Sequence, residues 1–303
     1  MIPTPPQADS LDQTHDSARR QTLKMAMGAV GAGYALAALP LMAQTLQTTP
    51  ATGLVAGKVE IPAADRSIPG YRAAPASGSA FATVLVLPEI FGLHEYIQDV
   101  CRRFARAGYM AVAIDPFVRQ GDPMAIADIG KLLADIINQV PDAQVMSDLD
   151  AAARWAAANG GDAKQLAVTG FCWGGRQTWL YAAHNPAVRA GIAWYGRLVG
   201  PTSALQPRHP IDVVDKISGP VLGLYGGADT GIPQDTVERM IAALGQGSAA
   251  ARASQFVIYP DAPHAFHADY RPSYREGAAR DGWSRTLAWL AAQGLKPQGA
   301  AEK

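Results

Sequence analysis

The sequence predicts an α/β fold, in which a mostly parallel central sheet carries helices on both faces. Three observations lead there. Short apolar runs of strand length alternate with longer amphipathic stretches of helical period through the body of the chain. The clearest strand-like run, Phe-Ala-Thr-Val-Leu-Val-Leu at 81–87, is continuously apolar, as a strand covered on both faces must be. Several runs are closed at once by Pro, Gly or Asp, residues that turn a chain before the next periodic stretch begins.

Taken in order, 53–61 and 66–71 read as a weaker antiparallel hairpin. Strand 81–87 is closed by Pro88, and a helix over 95–107 places Ile97, Val100, Cys101 and Phe104 on one face before Gly108 ends it. Strand 110–114 is closed by Asp115-Pro116, and two helical patterns follow at 123–138 and 141–158. Strand 165–169 leads into a helix from about 174 to 184, then strands 190–195 and 221–225. A helix over 234–244, a strand at 255–259 and a terminal helix over 274–292 complete the order. No repeat or low-complexity linker interrupts this body, so residues 45–303 are expected to form one domain. In such sheets the ligand lies beyond the carboxyl ends of the strands, so the residues that follow each strand are the ones to inspect.

Bulk properties narrow the function classes. The 303 residues are 49% hydrophobic and carry 26 basic and 26 acidic side chains. That balance leaves no basic footprint for nucleic acid, and the apolar content argues against disorder. Two cysteines, Cys101 and Cys172, cannot make a disulfide framework or a CxxC metal knuckle. No metal or other cofactor is expected, and the expected partner is a small molecule. Nothing in the pattern specifies an oligomeric state. Residues 1–44 read differently: Arg19-Arg20 precede a short apolar run rich in Ala, Gly, Leu and Met that ends near Ala43. This resembles a twin-arginine export signal, too short and Gly-rich for a stable membrane helix. A periplasmic or secreted location is expected, with a cytoplasmic one if the leader merely happens to contain the pair.

Three strand ends carry the chemistry. Gly170-Phe171-Cys172-Trp173-Gly174-Gly175 has the layout of a nucleophile elbow, G-x-Nuc-x-G, with cysteine at the nucleophile position. The turn must be sharp and strained, with glycines where side chains would strike the neighbouring strand and helix. The following helix aims its positive end at Cys172, which favours thiolate. Gly226-Gly227-Ala228-Asp229 follows the strand at 221–225, and Pro260-Asp261-Ala262-Pro263-His264 follows that at 255–259. Nucleophile, acid and histidine in this chain order are those of the α/β-hydrolases. In those roles His264 moves the proton and Asp229 orients its imidazole. A buried structural cysteine, a turn aspartate and a loop histidine are the plain alternatives, each reasonable alone and less so as an ordered set. The N–H groups of Trp173 and Ile90 are placed to face an oxyanion. Glu89, in Pro88-Glu89-Ile90-Phe91-Gly92, would then point into the site, the alternative being a surface glutamate at a helix entry. His94 could line the pocket. His184 reads as a surface residue and His209 as a loop residue. His267 competes with His264, and Cys101 reads as core.

These stretches, with Asp115-Pro116-Phe117-Val118-Arg119-Gln120, Trp194-Tyr195-Gly196 and His264-Ala265-Phe266, resemble the dienelactone hydrolase family over roughly 54–290. The resemblance implies a Cys172–His264–Asp229 triad and a role for Glu89 in activating the thiol when substrate arrives. It also implies substrate-carboxylate binding by Arg119 and a pocket-lining aromatic at Tyr195. One departure stands out. The family has a serine after its histidine and a second carboxylate-binding arginine three residues later. Those positions are Ala265 and Ala268 here, with Arg271 off register. The resemblance therefore implies ester or lactone hydrolysis through a thioester without implying the charged dienelactone as substrate. An acyltransferase with the same triad and a non-catalytic hydrolase-like binding protein are the alternatives.

Overall fold

The computed structural model describes residues 48–298, so the leader expected at 1–44 lies outside the described residues. The sheet has eight strands: β1 (Leu54–Pro62), β2 (Ser67–Pro75), β3 (Phe81–Leu87), β4 (Met110–Ile114), β5 (Gly161–Phe171), β6 (Val188–Trp194), β7 (Val221–Gly226) and β8 (Gln255–Tyr259). Their spatial order is β1-β2-β4-β3-β5-β6-β7-β8. β1 and β2 form the expected hairpin, β2 runs antiparallel to β4, and every other pair is parallel.

Alternating residues of β3 feed two cores, one on each face. Leu85 and Leu87 join one, while Ala82, Val84 and Val86 join the other. Helices α1 (Glu95–Arg106) and α7 (Glu276–Ala292) cover the second face through Ile97, Val100, Phe104, Trp289 and Leu290. The first face is covered by α3 (Asp142–Ala158), α4 (Trp173–His184) and α5 (Gln234–Gln246), through Leu149, Trp179, Val237 and Met240. Cys101 lies in this packing, fully buried on the apolar face of α1.

The expected helix over 123–138 is broken. A 3₁₀ turn at Pro123–Ala125, helix α2 (Ile129–Asp135) and a second 3₁₀ turn at Ile137–Gln139 replace it. The reason is local. The side chain of Asp122 accepts from Met124 N–H, and that of Asp128 accepts from Lys131 N–H, so each aspartate caps a new start. The short helix α6 (Ala249–Arg252), capped by Ser248, was not expected.

From β3 the chain moves to β4 on one side. It later returns to place β5 on the other side of β3 and proceeds outward from there. The strand order thus reverses at β3, and the crevice beyond the carboxyl ends of β3 and β5 is where such a sheet binds ligands.

Candidate active site

The turn from β5 into α4 is built by close backbone approach. A Cβ on Gly170 would lie 2.2 Å from the Gly174 carbonyl oxygen, and one on Gly174 would lie 2.5 Å from that of Leu87. Neither neighbour can yield, because both are backbone. Cys172 caps α4 with φ 56° and ψ −113°, a conformation that a non-glycine residue adopts only when its surroundings impose it. Gly170→Ala should therefore cost at least about 3 kcal/mol in a thermal or urea melt. Gly245→Ala, where nothing lies within 4 Å of the new Cβ, should leave stability unchanged or raised. Equal effects at the two positions would contradict this account of the elbow.

Cys172 is 3% exposed and its N–H donates to Trp194 O at 3.0 Å, which ties the elbow to the end of β6. His264 follows β8, and the charge of Cys172 acts on its imidazole. On its other side, His264 Nδ1 lies 2.7 Å from Asp229 Oδ2. The second Asp229 oxygen accepts from the N–H groups of Gly231 and Ile232 at 2.8 and 3.1 Å, which fixes the carboxylate plane. Burial opposes a charged imidazole, but the charges of Cys172 and Asp229 and the Asp229 hydrogen bond outweigh it and hold His264 up at about 10. The three strand-end residues singled out in the sequence thus meet at one place, with His264 hydrogen-bonded to Asp229 and acted on by the Cys172 charge.

At the end of β3, Glu89 is 1% exposed. Its Oε2 accepts from the Tyr270 hydroxyl at 2.5 Å, with His94 Nε2 at 3.7 Å and Arg271 Nη2 at 3.9 Å. Burial alone would raise this carboxyl, but the Arg271 charge, His94 and the Tyr270 hydroxyl prevail and hold it at about 2. Arg271 is itself buried and stacks over the rings of Phe91 and Tyr270, 4.8 and 4.9 Å from their centroids. Among the described residues the Ile90 N–H donates to no other group, and the Trp173 N–H is the first of the helix, so neither has a backbone acceptor that must be displaced.

Tyr195 is brought into the site. Its ring stands 5.2 Å from that of His264 in a T-shaped contact. Arg119 is engaged elsewhere: its guanidinium bonds Asp65 at 2.6 and 2.8 Å and Asp148 at 2.7 and 2.9 Å. The cation beside Glu89 is Arg271. Tyr270 and Arg271 sit in the segment between His264 and α7, which has no strand or helix period to mark its path, so sequence reasoning could register Arg271 only by its spacing. Of the other histidines, His184 pairs at the surface with Asp150 at 2.9 Å, and His209 caps a 3₁₀ turn at Pro210–Val213.

His267 does not compete with His264. It is 2% exposed, with Nδ1 2.5 Å from the Tyr96 hydroxyl. Burial first, and then the Arg103 charge, push its pKa down from 6.5 to about 3, against a weaker opposing pull from Glu89. The fold thus holds this imidazole neutral, while the unfolded chain protonates it below about 6.5. Its contribution to stability is complete above that pH and is lost as the pH falls from 6.5 towards 3. Urea titrations of His267→Gln should show a shallower loss of stability between pH 6.5 and 4 than the parent chain. An unchanged slope would assign the acid sensitivity to other groups.

Among the described residues, no His, Cys, Asp or Glu cluster is arranged to hold a metal ion, and no helix is long and apolar enough to cross a membrane. The profile of the dienelactone hydrolase family matches residues 68–294. A protein of Methylorubrum extorquens, provisionally named a carboxymethylenebutenolidase, is 56% identical over 264 residues, which cover 87% of this chain and 90% of its own length. One of Salmonella typhimurium with the same provisional name is 53% identical over 265 residues, covering 87% and 97%. A solved structure from Klebsiella pneumoniae, provisionally named a dienelactone hydrolase, superposes with a TM-score of 0.77 at 52% identity, over 78% of this chain and 98% of that one.

Proposed function

This chain belongs to the dienelactone hydrolase family, and on that premise we propose that it hydrolyses esters or lactones through a covalent thioester on Cys172. The observation that carries this reading is the placing of Cys172, His264 and Asp229 at the carboxyl ends of three strands, with His264 hydrogen-bonded to Asp229 and acted on by the Cys172 charge.

In the first half-reaction the proton of the Cys172 thiol passes to His264, whose protonated form Asp229 supports. The sulfur attacks the substrate carbonyl, and the N–H groups of Ile90 and Trp173 receive the oxygen as it becomes anionic. Collapse of the tetrahedral species breaks the ester bond. The leaving oxygen takes the proton from His264, and a thioester remains. Water, deprotonated by His264, then attacks the thioester, and its collapse returns the proton to sulfur and releases the acid. A fixed Asp229 plane and a raised His264 pKa suit both halves, because the imidazole must accept and return a proton without turning.

Glu89 is proposed to assist the thiol once substrate enters. Only its Tyr270 contact is within hydrogen-bond range, while the two nitrogens beside it are at 3.7 and 3.9 Å, so the carboxylate is surrounded rather than clamped. Arg271, not Arg119, is the cation proposed to meet an acidic substrate, since Arg119 is already held by two carboxylates. Export through the twin-arginine route is proposed on the sequence pattern at Arg19-Arg20 alone.

The test is a panel of aryl esters and lactones, each with and without a carboxylate, assayed with the parent chain, Arg271→Met and Arg119→Met. Hydrolysis in which Arg271→Met lowers kcat/KM for the carboxylate-bearing members by clearly more than for their neutral counterparts supports the assignment. Turnover of none of the panel, or a selective loss in Arg119→Met instead, contradicts it.

A further inference from the structure

Tyr195 carries an unexplained cost. Its hydroxyl is completely buried and has no hydrogen-bond partner among the described residues. An orphaned buried hydroxyl is destabilising by roughly 1–3 kcal/mol. The backbone adds to this, since Tyr195 sits at φ 39°, a left-handed conformation unfavourable for a bulky side chain. The fold nevertheless fixes the residue on every side. Its N–H donates to Leu224 O at 2.9 Å, and a Cβ on the following Gly196 would meet Gly175 of the elbow at 2.3 Å. Strain and an unpaired polar group held together at one residue point to a task that the resting molecule does not show.

The surroundings identify the task. The Tyr195 ring packs against Phe171, the residue before the nucleophile, at 6.3 Å and against His264 at 5.2 Å. The residue before Tyr195 accepts the Cys172 N–H. The titratable groups that act on the phenol are Tyr96 from α1, Glu89 after β3, Cys172 at the elbow and Tyr270 from the loop before α7. Arg271 and His264 face the same enclosure. Burial first, and then these neighbours, hold the phenol well above its ordinary pKa. It therefore stays a neutral O–H, able to donate to an anion without becoming one.

We propose that the Tyr195 hydroxyl is a positioning donor for the Cys172 thiolate. It gives the sulfur a hydrogen bond when the thiol proton has moved to His264, and it releases the sulfur as the thioester forms. No bond is made or broken at the phenol. Its oxygen keeps its proton throughout, and the negative charge passes from sulfur to the substrate oxygen held by Ile90 and Trp173. This inference rests on Cys172 being the nucleophile, which the loss of hydrolysis in Cys172→Ala tests separately.

The experiment is the rate of alkylation of Cys172 by iodoacetamide as a function of pH, in the parent chain and in Tyr195→Phe, with Cys101→Ala in both backgrounds. Phenylalanine keeps the ring, its contact with His264 and the backbone strain, so a purely structural role would leave the profile in place. The expected result is a rise of about one pH unit in the alkylation midpoint, hence about tenfold less thiolate below it. The same variant should lose kcat/KM for neutral and carboxylate-bearing esters alike, with a melting temperature at or above that of the parent, because the unpaired hydroxyl is gone. An unmoved midpoint overturns the proposal, whether activity is retained or is lost only for one class of ester. In the second case the hydroxyl serves the substrate instead of the sulfur.

Discussion

Cys172→Ala is expected to remove hydrolysis of activated aryl esters by at least about a thousandfold in kcat while leaving the melting temperature within a degree or two of the parent. The two halves of that expectation have different origins. Activity falls because the covalent route needs a nucleophile, and the His264 imidazole alone can only direct water at the ester from a site shaped for sulfur. Stability holds because alanine removes a single buried sulfur from a backbone conformation that Trp194 and the elbow glycines impose. Full activity in the variant would mean that the chemistry is done elsewhere. A collapsed melting temperature would mean that Cys172 is a structural residue and that its loss of activity is uninformative.

The second large effect concerns Glu89. Replacing it with leucine should destabilise the fold by about 3–5 kcal/mol, since it leaves the Arg271 guanidinium buried without its carboxylate and the Tyr270 hydroxyl without its acceptor. Exchanging both charges, as Glu89→Leu with Arg271→Met, should recover most of that loss, because no unpaired charge then remains. Denaturant titrations of the two single variants and the double variant check this. Additive losses would show that the two groups do not depend on each other. The acid limb has a defined sign: with the carboxyl held at about 2 instead of 4.5, its contribution is complete above 4.5 and disappears as the pH falls through 2. His267, which loses its contribution between 6.5 and 3, acts in the same direction at milder acidity.

Much of this was legible in the residues because the relevant signals are local. The elbow announces itself through glycines at fixed offsets from Cys172, and the clash distances at Gly170 and Gly174 show why no other residue fits there. β3, β4 and β8 run between the limits that their apolar runs suggest. The Glu89 cluster was less legible because its partners are remote in sequence. The carboxylate meets a hydroxyl 181 residues away, on a loop with no periodicity to predict its course. Arg119 illustrates the converse. Its position in a family-like stretch suggests a substrate clamp, yet Asp148 from α3 and Asp65 from the β1–β2 turn reach it first. Neither aspartate carries any local sign of that pairing. The helix expected at 123–138 failed for a different reason, since apolar period outweighed two aspartate caps that restart the chain within it.

The central claim is a thioester on Cys172. Rapid quenching of the enzyme with an activated ester, followed by intact-mass and peptide mass spectrometry, tests it most directly. The expected result is one acyl group per chain on the peptide that contains Cys172, released by hydroxylamine at neutral pH and lost in Cys172→Ala. An acyl group on another side chain, with turnover preserved in Cys172→Ala, would contradict it.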